Sequence, residues 1–199
     1  MKRQSSAPSS RSICSKNSNS RNQILTNYVY IATSLDGFIA TKDGGIDWLS
    51  EIPNPEKSDY GYSAFMSGVD ALVMGRNTFE KVVSLGRWPY DKPVFVLSHT
   101  LDKVPEEVVG KAEIIGGPIK AITKHLSQRG YYHLYVDGGR VIQSFLEADA
   151  IDEMIITQVP TLLGDGIPLF GKLARRLTFR LKKTKIYDNL VQSHYVRDR

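Results

Sequence analysis

Two stretches of the chain end an apolar run in glycine and continue with residues that could hold an anion. The first is Ala71-Leu72-Val73-Met74-Gly75-Arg76-Asn77-Thr78-Phe79-Glu80. Its apolar half is long enough for one buried strand. Asn77 and Thr78 are both residue types that cap helices. Strand, glycine and capped helix start form a geometry that binds phosphate, because the free N–H groups of the first helical turn and the helix dipole both face the anion. Gly75 has no Cβ and lets the backbone come close. Arg76 adds an always-charged fork suited to phosphate oxygens. Read alone, the stretch favours an ordinary strand-to-helix turn with a surface arginine, because such turns are common. The second stretch, Leu134-Tyr135-Val136-Asp137-Gly138-Gly139-Arg140-Val141-Ile142, repeats the design and carries a helical pattern through Leu146. It is not the dinucleotide fingerprint G-x-G-x-x-G, which this chain lacks. Two anion-receptive strand ends in one small α/β chain imply a nucleotide lying across the carboxyl edge of the sheet.

The elements that must carry these turns follow from hydrophobic pattern. Tyr28–Ala32 reads as the first strand, Thr33–Gly37 as a turn, and Phe38–Ala40 as a brief continuation. A long loop, Thr41 to Glu56, holds Gly44-Gly45, Trp48, Pro53 and Pro55; loops of this length are often functional. Trp48 is read in two ways, as a lid over a site or as a pin holding the loop to the core. Ser58 is expected to cap a helix running to about Ser67, with Tyr62, Phe65 and Met66 turned inward. Pro93–Leu97 is a buried strand ending at Ser98-His99, and Glu113–Ile115 a short one. Pro118 opens a helix to Gln128, closed by Gly130. Asp152–Val159 is a strand, Pro160–Phe170 a glycine-rich loop, and Leu177–Tyr187 pairs with Val191–Val196 about Asp188-Asn189. Strands alternating with helices predict an α/β fold with a mostly parallel sheet covered on both faces and an antiparallel C-terminal edge hairpin.

Charge removes one function class. The 199 residues carry a formal net charge of +5. Residues 1–26 hold Lys2, Arg3, Arg11, Lys16 and Arg21 and no acid, which leaves 21 basic against 21 acidic residues in the remainder. The part expected to fold is neutral, so a nucleic-acid partner is not expected. The tail is serine-rich and is expected to be disordered. Its Arg- and Ser-rich, acid-free composition also fits an organellar transit peptide, with a plain solvated extension as the alternative. No secretory h-region and no membrane-length apolar run is found. Cys14, the only cysteine, lies in this tail. His125, His133 and His194 are scattered, and no spacing suggests a metal site.

The motifs resemble, as an ordered set, the dihydrofolate reductase superfamily. They are Ile31-Ala32-Thr33-Ser34-Leu35-Asp36-Gly37-Phe38-Ile39-Ala40, Val73 to Glu80, Val96-Leu97-Ser98 and Val136 to Gly139. The resemblance is closer to the reductase domain of the bifunctional riboflavin-biosynthesis deaminase–reductase and its single-domain relatives. It covers about residues 27–197. It implies a three-layer fold whose strands are parallel except the last, and an NADPH cofactor. By position it implies that Gly75, Arg76, Asn77 and Thr78 hold the adenosine 2′-phosphate and pyrophosphate side, joined by Ser98 at the 2′-phosphate. Gly138, Gly139, Arg140 and Val141 would hold the pyrophosphate, and the backbones of Ala32 and Ile39 would flank the nicotinamide. His99 could supplement Arg76; the alternative is an exposed histidine at a strand end.

Dihydrofolate reductases also need a carboxylate after the lid loop. Counting back from Met74-Gly75 places Asp59 there, and counting forward from Trp48 places Pro53 there. Asp59 is thus the catalytic candidate, able to accept hydrogen bonds from a ring or relay a proton; the alternative is an acid favoured by the helix dipole. Asp36 is read as ordering its own turn. Asp137 beside the double glycine fits the riboflavin-type branch. The expected function is NADPH-dependent reduction of a small heterocycle, a ribosylamino-pyrimidine of the riboflavin pathway or a pterin-like ring. In the riboflavin case the activity would be that of a 5-amino-6-(5-phosphoribosylamino)uracil reductase. The alternative is a nucleotide-binding module of the same fold without productive catalysis. A cytoplasmic location is expected, or an organellar one if residues 1–26 are a transit peptide, and a homodimer is an open option. The folded domain is expected to start near residue 27, and the loop carrying Trp48 to border the substrate side of the cleft.

Overall fold

The computed structural model describes residues 24–199. The expected disorder of residues 1–23, and Cys14 with it, falls outside the described residues. Thr26 opens the first strand, two residues before the expected strand start at Tyr28.

Among the described residues, eight strands form one sheet. In chain order they are β1 (Thr26–Thr33), β3 (Ala71–Gly75), β4 (Val94–Leu97), β5 (Ala112–Ile115), β6 (His133–Asp137), β7 (Glu153–Gln158), β9 (Phe179–Tyr187) and β10 (Leu190–Arg197). The spatial order is β5-β4-β3-β6-β1-β7-β10-β9. Every pairing from β5 to β7 is parallel, and β10 runs antiparallel to both of its neighbours. A small second sheet joins β2 (Phe38–Ala40) to β8 (Ile167–Pro168). β8 lies in what the sequence pattern gives as a continuous loop; two residues held by tertiary pairing carry no periodic signal.

Alternation along the central strands divides the core. Val73, Phe95, Leu134 and Val136 face α3 (Ile119–Gln128) and α4 (Gly139–Glu147), where Ile122, Leu126, Ile142 and Phe145 pack on them. Leu72, Met74, Val94, Val96 and Tyr135 face the other way, toward α1 (Tyr62–Ser67) and α2 (Arg76–Ser84) through Phe65 and Phe79. Sheet strands show side chains to opposite faces at a period of two, so each buried run supplies both layers.

This division sets the site. β3 and β6 are neighbours, with Met74 level with Asp137. The helix after β3 turns to one face and the helix after β6 to the other. Such a divergence opens a crevice at the carboxyl ends of the strands, where ligands bind in open α/β sheets.

Two expected details are corrected. Ser58 does not cap α1: the helix starts later, at Tyr62, after Tyr60 (φ 54°) and Gly61 (φ 91°) in left-handed backbone. Ser58 Oγ instead accepts the Tyr60 N–H at 3.1 Å. Asn77 and Thr78 do not cap α2 either. β3 runs straight into the helix, Gly75 takes the cap position, and no side chain caps the helix.

Candidate active site

The carboxyl ends of β4, β3, β6 and β1, which finish at Leu97, Gly75, Asp137 and Thr33, form one rim of adjacent strands. On it, the glycine turns are shaped for close approach. Gly138 has φ 89°, and an alanine Cβ there would lie 2.4 Å from Thr78 Oγ1 and 3.9 Å from the Gly75 N. An alanine Cβ at Gly75 would lie 3.1 Å from Val141 Cγ2, and one at Gly139 3.0 Å from Ile39 Cδ1. The structure therefore brings Gly75, Thr78, Gly138, Gly139, Val141 and Ile39 into mutual contact. Side chains at the glycines would push α2, α4 and β2 apart.

Anion binding needs free donors, and the starts of α2 and α4 supply them. Both are nine-residue helices with no side-chain cap and no acid in the first turn. Their unsatisfied N–H groups and positive dipole ends meet at one point of the rim. Arg76 opens α2; its Nη1 donates to Thr100 Oγ1 at 2.9 Å and its Nε lies 3.6 Å from Glu80. That leaves guanidinium donors free. Arg140, in the first turn of α4, is exposed, and its side chain makes no hydrogen bond or ion pair among the described residues. Asn77 is exposed beside Arg76. Ser98 Oγ accepts the N–H groups of Thr100 (3.1 Å) and Leu101 (2.9 Å), and its own O–H remains available. These residues fit a nucleotide with a pyrophosphate and a further phosphate near Arg76.

Residues 28–193 match the sequence signature of the RibD C-terminal domain. The chain belongs to the RibD C-terminal domain family. The uncharacterized protein YwjB of Bacillus subtilis (strain 168) is 42% identical over 172 residues, spanning 85% of this chain and 96% of that protein. A solved structure from Shewanella sp. PV-4, of a protein named for riboflavin biosynthesis, is 49% identical with a TM-score of 0.85, covering 88% of this chain and all of that one. Dihydrofolate reductase from Enterococcus faecalis, solved with NADP(H), shares the fold at 18% identity and a TM-score of 0.62, over 87% of this chain and 97% of that one. The family match and these folds bear out the dihydrofolate-reductase-like reading of the motifs.

Other features of this RibD-type domain bear on alternatives that the sequence leaves open. Asp59 is exposed, and its carboxylate accepts the N–H groups of Gly61 (2.8 Å) and Ser63 (3.0 Å) at the start of α1. A hydrogen bond from the Ser63 side chain, followed by these backbone donors, holds its pKa down at about 2. In this position the group stabilises the helix start and remains an anion. Trp48 is buried against Val159 and Leu190, beside Ala32 and Tyr60, so it pins the long loop to the sheet. Asp36 takes hydrogen bonds from Ser34 Oγ and reaches across to the Gly164 N–H at 2.7 Å and the Leu163 N–H at 3.2 Å. It joins the first turn to the loop before β8 as well as ordering its own backbone.

The group that sequence reading left without a role is Asp137. It ends β6 on the same face as Tyr135, is partly buried, and burial pushes its pKa up to about 6 against the pull of the Gly138 N–H at 2.8 Å. Around it stand Tyr62, Tyr90 and Tyr135, all with phenol pKa values raised first by burial and next by Asp137. Tyr30 closes the cluster, its ring 5.6 Å from Tyr62. Beside it one carbonyl collects three donors: Tyr60 O accepts from Tyr30 Oη (2.9 Å), Tyr187 Oη (2.8 Å) and Gln192 Nε2 (3.2 Å). An acid ending an apolar strand, in step with a tyrosine two residues away, is the signal that could have found Asp137.

Proposed function

We propose that this domain is an NADPH-dependent reductase of a small heterocycle. The observation that carries the reading is the meeting of two uncapped helix starts, each with an arginine in its first turn, at the divergence of β3 and β6. Arg76, Thr78 and Ser98 would hold the 2′-phosphate, with Asn77 beside them. Gly75, Gly138, Gly139, Arg140 and Val141 would hold the pyrophosphate. The backbones of Ala32 and Ile39 would flank the nicotinamide. The bound cofactor supplies the hydride. The protein orients the ring and supplies a proton. For that proton Asp137 is the better-suited group, since a carboxyl near pKa 6 can carry and release it close to neutral pH. Asp59, at about 2, is poorly matched to the task.

The test is NADPH oxidation followed at its absorbance maximum against pterins, ribosylamino-pyrimidines and flavins. Turnover with at least one ring is expected. NADPH binding without turnover on any of them would favour the nucleotide-binding module instead. A cytoplasmic homodimer completes the proposal, tested by fractionation and by sedimentation of the purified protein.

A further inference from the structure

Three residues stand in line across the sheet at the nicotinamide end of the proposed cofactor site. Ala32 of β1 is level with Thr157 of β7, and Thr157 is level with Gln192 of β10. Side chains directly opposite one another share a face of the sheet. Tyr30, two residues before Ala32, shows its side chain to the same face.

The side chain of Gln192 gathers this face. Its Nε2 donates to Thr157 Oγ1 at 3.0 Å, to Tyr30 Oη at 3.1 Å and to Tyr60 O at 3.2 Å. Thr157 is buried. Tyr30 Oη donates in turn to the same Tyr60 carbonyl at 2.9 Å. One amide thus ties β1, β7 and the turn before α1 to the last strand.

That turn is strained. Tyr60 (φ 54°) and Gly61 (φ 91°) lie one after the other in left-handed backbone. A tyrosine stays there only where its surroundings over-determine it, and such conformations cluster at ligand sites. The turn also packs beside the nicotinamide end: Tyr60, Tyr187, Leu190, Trp48 and Ala32 form one apolar cluster. Holding the hairpin to the sheet requires none of these side-chain bonds, because β10 already pairs with β7 and β9 along its length. What the amide adds is a fixed placement of Tyr30 and Tyr60 relative to Ala32.

We infer that Gln192 is a positioning residue for the nicotinamide end of the cofactor site, fixing the wall beside the Ala32 backbone through Thr157, Tyr30 and the Tyr60 carbonyl. The inference rests on the reductase reading. Three strands, β6, β1 and β7, separate β10 from β3 and so from Arg76, which is proposed to hold the 2′-phosphate. Gln192 therefore acts on one half of the cofactor and leaves the other alone.

The test is calorimetric titration of the full chain with NADP⁺ and with 2′,5′-ADP, which carries the adenosine 2′-phosphate and no nicotinamide. Gln192→Leu should weaken NADP⁺ binding by about fivefold or more and change 2′,5′-ADP binding by less than about twofold. Tyr30→Phe, which keeps the ring and removes only the hydroxyl, should shift the ratio of the two affinities in the same direction; it carries the test by itself if Gln192→Leu does not fold. Retained 2′,5′-ADP affinity shows that a variant is folded. Equal losses for both ligands would overturn the inference, since a general loosening gives that result. So would an unchanged NADP⁺ affinity with a lowered melting temperature, the result expected of a residue that only holds the hairpin. A parent chain that binds neither ligand would instead remove the reductase reading, and the inference with it.

Discussion

Ionising Asp137 inside the cleft costs free energy that the unfolded chain does not meet, which links folding to pH at this residue. Its folded pKa, about 6, lies above the ordinary 3.8. The neutral form is therefore favoured by folding. That contribution is full below the unfolded value and is lost as pH rises through about 6. The shift corresponds to on the order of 1–3 kcal/mol. Asp137→Asn should be more stable than the parent at pH 7.5, and the gap should shrink toward pH 4.5, read by urea unfolding at both pH values. Arg76 makes the second prediction at this scale. A charge-assisted hydrogen bond contributes about 1.5–3 kcal/mol, so Arg76→Ala should weaken NADPH binding by about tenfold or more and leave NADH nearly unchanged. Equal losses for both cofactors would place Arg76 at the pyrophosphate. Asp59→Asn tests the carboxylate assignment: with the side chain held on Gly61 and Ser63, turnover and its pH profile should change little. A large fall in kcat with unchanged KM would return Asp59 to the proton path.

Elements meet closely at the glycines of the rim. At Gly138 the backbone lies at φ 89°, a region that side-chain-bearing residues rarely adopt, and a Cβ would also strike Thr78. Gly138→Ala should lower stability by about 1–3 kcal/mol and should weaken NADPH binding further by parting α4 from α2. Thermal melts and cofactor titration of the same sample separate the two effects. Gly166 is a different case. Its φ is ordinary, but a Cβ would lie 2.3 Å from the Ala40 carbonyl, so contact alone requires glycine where β8 meets β2.

Across the whole molecule, charge is distributed unevenly: the formal excess of +5 belongs to residues 1–26. Residue 24 is the better boundary for a truncation than 27, because the Thr26 N–H donates to Tyr132 O at 2.7 Å and Asn27 is bonded to Asp152 and Ala150. Removal of residues 1–23 should leave the melting temperature and NADPH affinity unchanged. A drop of several degrees would tie the tail to the fold. Among the described residues no helix is long and apolar enough to cross a membrane.

Sequence by itself determined the parts and their order. Runs such as Ala71–Met74 and Leu134–Val136 are apolar without a break because parallel strands here are covered on both faces, and glycine marks each turn because the backbone must approach a neighbour. Local chemistry was enough to single out Gly75, Arg76, Gly138 and Gly139 as candidates, and Arg140 entered only through the family resemblance. Tertiary structure decided what these residues face. β6 enters the sheet between β3 and β1, long after both have formed in sequence, and only that insertion sets Gly138 beside Gly75. The helix starts follow from it too: with the strand running directly into α2, the cap passes to Gly75, and Asn77 and Thr78 lie inside the first turn. Trp48 is a pin because Val159 and Leu190 come to it from the far end of the chain. Asp137 owes its raised pKa to burial among tyrosines from β6, α1 and the loop before β4, with Tyr30 of β1 beside them. Desolvation is a property of the assembled cleft, and no spacing of residues along a chain encodes it locally.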